Sequence, residues 1–203
     1  MLKPTIPEAS EFDRRQARRD ARVATVMLAA RLIAARGEQL CRIRNISPMG
    51  LKVHCDLPLN QGEAIRIELR NGRSVEGRIV WSNPPFAGMQ FTARADLNAL
   101  LATTPEEAAH VARLPRVHVH HPVLVHVGAR MLGASIVDLS QGGARLRLRA
   151  PLERGAQVTL SVTGGLGTLK GSVRWTKSEE AGVAFNETIP FDTLSRFLAQ
   201  REG

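Results

Sequence analysis

From about residue 38 the chain alternates apolar and polar side chains in short runs broken by Gly, Pro and Asn, and this period of two predicts antiparallel strands. The runs fall at about 38–46, 50–56, 63–70, 73–82 and 86–93, and again at about 131–138, 143–149, 156–162, 168–176 and 181–186. Asn71-Gly72 lies between two runs as a two-residue hairpin signal, because both residue types tolerate positive φ. Helical signals gather at the end of each set. Asp96 is placed to cap a helix, and Thr104-Pro105-Glu106-Glu107 has the form of a capping box with Pro at the first helical position. Ile189 to Arg201 carries apolar residues at helical spacing.

The two sets of runs are copies of each other. Asn45-Ile46-Ser47-Pro48-Met49-Gly50-Leu51 matches Asp138-Leu139-Ser140-Gln141-Gly142-Gly143-Ala144 at an offset of 93, and Leu57-Pro58-Leu59 with Gly62 matches Ala150-Pro151-Leu152 with Gly155 at the same offset. Gly77, Trp81, Ala87, Gly88 and Phe91 match Gly171, Trp175, Ala181, Gly182 and Phe185 at an offset of 94, so one loop differs by one residue. Residues 13–36 are rich in Arg, Ala, Leu and Met, which favours helix locally, but the equivalent stretch His121 to Val127 reads as a strand. The repeat therefore predicts strand over 25–35. The expected fold is mainly β: two tandem small antiparallel β-barrels, each followed by a C-terminal helix. The expected division is a flexible tail over 1–12, a first domain over 13–102, a linker helix over 103–112 and a second domain over 113–203.

The 203 residues are enough for two domains of about 100 each. With 43% hydrophobic and 23% charged residues the chain has the composition of a folded protein, and no apolar run approaches the roughly 20 residues of a membrane-spanning helix. Its opening, MLKPTIPEASEFDRR, lacks the apolar centre of a signal peptide, which makes the cytoplasm the expected compartment and membrane insertion unexpected. Cys41 and Cys55 are too few for a disulfide framework and read as buried thiols on neighbouring strands. The net charge of +9 points to an anionic partner. Only Lys3, Lys52, Lys170 and Lys177 of the 28 basic residues are lysines, and the bias to arginine suits bidentate contact with phosphate and guanine as well as it reflects base composition.

Arg14, Arg15, Arg18, Arg19 and Arg22 fall within nine residues, just ahead of the first barrel. Alone, this run reads equally well as a solvated tail, and Asn-x-Ser-x-x-Gly alone reads as a turn. Together, Arg18-Arg19-Asp20-Ala21-Arg22 and, 23 residues after Arg22, Asn45-Ile46-Ser47-Pro48-Met49-Gly50 resemble the PilZ family of cyclic di-GMP receptors. That family carries Arg-x-x-x-Arg followed by Asp/Asn-x-Ser-x-x-Gly, and the Gly-x-x-x-Trp and Ala-Gly-x-x-Phe elements also look like PilZ. The resemblance covers nearly the whole chain, once per copy, and implies barrels of the split-barrel type. It implies a non-enzymatic receptor with no cofactor, whose ligand is cyclic di-GMP and whose arginine arm folds over that ligand. Arg18 and Arg22 are the expected phosphate and guanine ligands, with Asn45, Ser47 and Gly50 completing the site and Arg15, Arg19 and Trp81 as further candidates.

In the second copy Asp138, Ser140 and Gly143 keep the motif, but the leading segment is Ala112-Arg113-Leu114-Pro115-Arg116, with Ala112 where the first motif arginine belongs. A weak or degenerate site of Arg113, Arg116, Asp138, Ser140 and Gly143 is expected. Such a module faces a protein partner or serves structure. His118, His120, His121 and His126 have no nearby carboxylate or thiol at recognisable spacing, so no metal site is expected, and Trp81 and Trp175 read as core or barrel-mouth residues. No nucleophile–base pair or cofactor fingerprint marks an enzyme. Two alternatives to the receptor remain: a PilZ-like protein–protein adaptor without nucleotide, and a basic nucleic-acid-binding barrel. Nucleic acid is the less expected partner, since the chain has no tyrosine and 4% aromatics on which bases would stack.

Overall fold

The computed structural model of the protein describes residues 23–102 and 115–200. The first stretch forms β1 (Val23–Ala34), β2 (Gly37–Ser47), β3 (Gly50–His54), β4 (Ala64–Glu68), β5 (Ser74–Asn83), β6 (Phe86–Phe91) and α1 (Leu97–Leu101). The second forms β7 (Val117–Val127), β8 (Arg130–Ser140), β9 (Gly143–Leu148), β10 (Gln157–Val162), β11 (Gly167–Lys177), β12 (Glu180–Phe185) and α2 (Phe191–Ala199). The strands close into two six-stranded antiparallel barrels, ordered β1-β2-β3-β6-β5-β4 and β7-β8-β9-β12-β11-β10. Closure comes from β1 against β4 and from β7 against β10, which leaves neither sheet an unpaired edge. The expected tail, the arginine run, the capping box at Thr104 and the linker helix lie outside the described residues.

Strand β1 forms as the repeat requires and against local helix propensity. Leu28, Ala30 and Leu32 pair with Ile43, Cys41 and Gln39 on the inward face, and β1 is hydrogen-bonded on both sides, so sheet pairing outweighs the propensity of its alanines and leucines. Two expectations need correction in detail. Strand β3 stops at His54, two residues early, because the Cys55 N–H turns to donate to the Pro85 carbonyl at 3.0 Å. At the β4–β5 hairpin only Gly72 takes positive φ, at 77°. Leu69 and Arg73 bracket a three-residue loop there, with the Gly72 N–H donating to Leu69 O and Asn71 Oδ1 accepting from the Arg73 N–H. The equivalent turn, Thr163 to Leu166, is one residue longer and accounts for the change of offset.

Each barrel has its own core. Ile43, Val53, Ile65, Ile67, Ile79 and Met89 lead the first, and Val125, Ile136, Leu139, Leu146, Leu160 and Leu194 the second. Asp96 caps α1 by accepting from the Asn98 and Ala99 N–H groups, and α2 plugs its barrel with Leu194, Phe197 and Leu198. One residue crosses between the cores. Leu40 points outward from β2, is only 1% exposed, and belongs to the core cluster of the second barrel. Around it Arg42 donates to Asp192 at 2.7 Å and lies over the Phe191 ring, so the first turn of α2 is fastened to the outer face of β2.

Candidate functional site

Two bulges decide which motif residues face outward. On β2 the register slips between Ile43 and Asn45, so Ile43 and Ile46 both enter the core while Asn45 is exposed. On β5 the register slips between Ile79 and Trp81, which sends Trp81 out of the barrel instead of into it. A bulge inserts one residue and thereby re-aims every side chain beyond it. Trp81 and Trp175 are therefore not core residues: they are 42% and 40% exposed. Each indole lies flat on a glycine of the next strand, Gly88 or Gly182, where a methyl group would collide with the ring. That contact explains why both tryptophans and both glycines recur in the repeat.

The result is one row across four strands of the first barrel. Asn45 pairs with Lys52, Lys52 with Gly88, and Gly88 with Trp81. Beside it His54 pairs with Phe86, ring centroids 5.1 Å apart, and the Lys52 ammonium sits 4.3 Å over Phe86 and 5.8 Å from Trp81. Ser47 and Gly50 shape the turn at the end of the row. The Ser47 hydroxyl donates to the Gly50 carbonyl at 3.0 Å, and Gly50 packs so tightly on β6 that a side chain would strike the Met89 carbonyl. Met49 O and Pro48 O accept from the Phe91 and Ala95 N–H groups, which fastens the turn to the barrel wall. Asn45, Ser47, Gly50 and Trp81 are thus brought to one surface. Arg15, Arg18, Arg19 and Arg22 lie outside the described residues, but Val23, directly after Arg22, pairs with Ile46.

The same row in the second barrel runs Asp138, Arg145, Gly182, Trp175, with Arg147 and Glu180 where His54 and Phe86 stand in the first. Its chemistry is different. Arg116, which leads into β7, donates to Asp138 Oδ1 at 2.9 Å, and Arg145 donates to Oδ2 at 2.6 Å. Glu180 accepts from Arg147 at 3.1 Å and from Arg145 at 3.4 Å. Three guanidiniums meet two carboxylates, so each guanidinium has a carboxylate partner and one positive charge is left in excess. Ser140 and Gly143 repeat the turn, with the serine hydroxyl donating to the Gly143 carbonyl at 3.1 Å. Arg113 lies outside the described residues.

The sequence did not reveal Lys52, His54, Phe86, Arg145, Arg147 or Glu180. A signal for them existed: folding the chain about Pro48-Met49 lays Lys52 against Asn45, and folding it about Gln141-Gly142 lays Arg145 against Asp138.

A third cluster joins the barrels. Arg31 donates to Glu38 at 3.0 Å and to Glu68 at 2.6 Å, while Glu38 also accepts the His118 N–H at 2.9 Å and lies 3.0 Å from the His118 ring. Burial works to raise the Glu38 pKa, but hydrogen bonds from His118 and the charge of Arg31 outweigh it and hold the carboxyl below its usual range. Burial likewise works to lower the Arg31 pKa and is outweighed by Glu68 and Glu38, so the guanidinium is held above its usual value. His121 lies 3.3 Å from the Thr163 hydroxyl and His126 3.3 Å from the Ser161 hydroxyl, and the described residues contain no group of three or more potential metal ligands. Burial raises both thiols, that of Cys55 to about 12, which disfavours thiolate chemistry.

The PilZ domain family model matches the chain twice, over residues 13–103 and 112–200. The chain belongs to the PilZ family. It is a tandem PilZ protein, and the row described above lies on the outer wall of each PilZ barrel. Among solved structures it is similar to Borreliella burgdorferi PlzA in complex with c-di-GMP, at 13% identity and a TM-score of 0.37, over 85% of this chain and 88% of that one. The K. pneumonia MrkH–c-di-GMP complex aligns at 14% identity and a TM-score of 0.35, over 95% of this chain and 94% of that one. Escherichia coli YcgR in complex with c-di-GMP aligns at 16% identity and a TM-score of 0.33, over 87% and 84%. A search of curated protein sequences finds no match. Among the described residues no helix is long and apolar enough to cross a membrane.

Proposed function

We propose that this tandem PilZ protein is a non-enzymatic receptor that binds cyclic di-GMP on the outer wall of its first barrel. The reading rests on family membership and on one contrast between the copies. In the second barrel the arginine leading into β7 reaches the motif aspartate, Arg116 to Asp138, and the positive charge is spent there. In the first barrel Arg22 stands just ahead of β1, the motif residue is the uncharged Asn45, and neither Lys52 nor His54 has a carboxylate partner in the row. Within the described row, a doubly anionic ligand finds Lys52 with no carboxylate beside it in one barrel and guanidiniums already paired to carboxylates in the other.

The chemistry fits that ligand. An arginine fork meets the O6 and N7 acceptors of guanine or the oxygens of phosphate with charge-assisted bonds, the parts assigned to Arg18 and Arg22 with support from Arg15 and Arg19. Asn45 offers an amide oxygen to the guanine N–H edge, while Ser47 and Gly50 present the turn against the phosphate. Trp81 and Phe86 give the guanines flat surfaces, and Lys52 between them supplies charge. The second barrel, with Ala112 in place of an arginine, forgoes a charge-assisted bond of about 1.5–3 kcal/mol and binds weakly or not at all.

Binding is transmitted along β2. That strand carries Asn45 at one end and Glu38, Leu40 and Arg42 at the other, where it grips the second barrel. A ligand held between the arginine segment and Asn45 changes how β2 presents that grip, and the relative pose of the barrels is the output read by a protein partner. Calorimetric titration of cyclic di-GMP tests the reading: one tight site per chain is expected, lost in Arg22→Ala and kept in Arg116→Ala. Two equivalent sites, or none, refute it.

A further inference from the structure

We infer that Glu180 is the residue that closes the second barrel to phosphate-bearing ligands, and that the side chain at this position, Phe86 in the first barrel, sets which PilZ domain of the chain accepts one. The inference deepens the proposed function and rests on it for the identity of the natural ligand. Its own basis is the geometry of the two homologous walls.

Asp138 engages the Arg116 Nη1 and Arg145 Nε groups, which leaves the Nη edges of Arg145 and Arg147 unbonded to Asp138, with the two side chains 29% and 55% exposed. Those edges are what an incoming phosphate would use. Glu180 takes both, with Oε2 on Arg145 Nη1 at 3.4 Å and Oε1 on Arg147 Nη2 at 3.1 Å. Its side chain is only 27% exposed, between arginines from the neighbouring strand β9, so it competes at short range with any anion that approaches. The carboxylate is an internal stand-in for the phosphate. Asp138 belongs to the shared motif and holds its place in both copies as Asp or Asn; Glu180 does not, and its counterpart Phe86 places an aromatic ring under Lys52. The walls also differ at Asn45/Asp138, Lys52/Arg145 and His54/Arg147, but Phe86/Glu180 is the pair at which one wall carries a ring and the other a second carboxylate. A phosphate arriving at the second wall must displace a tethered carboxylate. Arriving at the first, it meets an ammonium over an aromatic face.

The test exploits the single tryptophan in each row. In a Trp81→Phe background, Trp175 fluorescence reports the second wall; in a Trp175→Phe background, Trp81 reports the first. The full chain is titrated at low salt with inorganic pyrophosphate and separately with cyclic di-GMP. Glu180→Gln keeps the shape of the side chain and removes its charge, and Glu180→Phe installs the residue that the first barrel accommodates at this position. Either variant, melting within a few degrees of its parent, is expected to strengthen the pyrophosphate response of Trp175 by about tenfold or more. Phe86→Glu is expected to weaken the Trp81 response by a similar factor. A pyrophosphate response of Trp175 that is unchanged in both Glu180 variants overturns the inference. If pyrophosphate behaves as expected while cyclic di-GMP moves neither tryptophan, the gating role stands and the proposed ligand falls.

Discussion

Truncating Leu40 to Ala gives a direct measure of how firmly the barrels are joined. The side chain leaves β2 on the outward face, among Arg31, Glu38 and Arg42, yet is 1% exposed because it is buried with the second barrel's core. Full burial of a leucine is worth about 1.5–3 kcal/mol, and cutting one to alanine in a rigid core costs about 2–5 kcal/mol. Here the cost belongs at the low end, about 2–3 kcal/mol, since two barrels can settle together around the smaller residue. The loss falls on the docking and not on the first barrel's interior, whose inward positions on this strand are Gln39, Cys41, Ile43 and, past the bulge, Ile46. Urea unfolding in the two single-tryptophan backgrounds follows each barrel separately. With a slope of about 2 kcal/mol per molar, Leu40→Ala lowers the midpoint of the less stable barrel by about 1 M and leaves the other unchanged. A spacing between the two midpoints that does not change would refute the reasoning.

Acid should loosen the same joint. The folded Glu38 carboxyl titrates below its ordinary value of 4.5, so its contribution is present above that value and is lost as pH falls through the lowered one. Melting curves between pH 6 and 3 should show the drop, and Glu38→Gln should flatten it; equal slopes would contradict the assignment. Gln39 is fully buried with neither amide atom bonded among the described residues, and the second barrel carries Leu132 at this position. Gln39→Leu should therefore stabilise the chain by about 1–2 kcal/mol in denaturant titrations, and a loss would mean that the amide is satisfied. Cys41 and Cys55 should resist a thiol reagent at pH 8 until the chain unfolds, and fast modification of the native protein would contradict their burial.

The barrels were legible in the sequence because alternation and the repeat reinforce each other: β1 was placed by its homology to β7, where composition alone pointed to helix. The motif positions Asn45, Ser47 and Gly50 were legible too, but the work of Ser47 and Gly50 in the turn needed the contacts with the Gly50 and Met89 carbonyls. Of the two places open to Trp81 in the sequence, core or barrel mouth, the structure excludes the core, and the reason is definite. Counting by twos from Ile79 puts it inside, and a one-residue bulge is invisible to a period-two pattern. Lys52, Phe86 and Glu180 escaped because a site on a barrel wall is assembled from cross-strand register, which depends on where each hairpin turns. The grip of Leu40 and Arg42 on the second barrel carries no local signal, since both look like ordinary residues of an alternating strand.

On the proposed function, the first barrel's wall, where Lys52 has no carboxylate beside it in the row, takes the dinucleotide, and the second wall, where Arg116, Arg145 and Arg147 are paired to carboxylates, does not. Calorimetric titration of cyclic di-GMP into the full chain, beside Arg22→Ala and Arg116→Ala, tests it most directly. One site per chain that vanishes with Arg22→Ala and survives Arg116→Ala is the predicted result. Two equivalent sites, a site that disappears with Arg116→Ala alone, or no heat at micromolar ligand would contradict it.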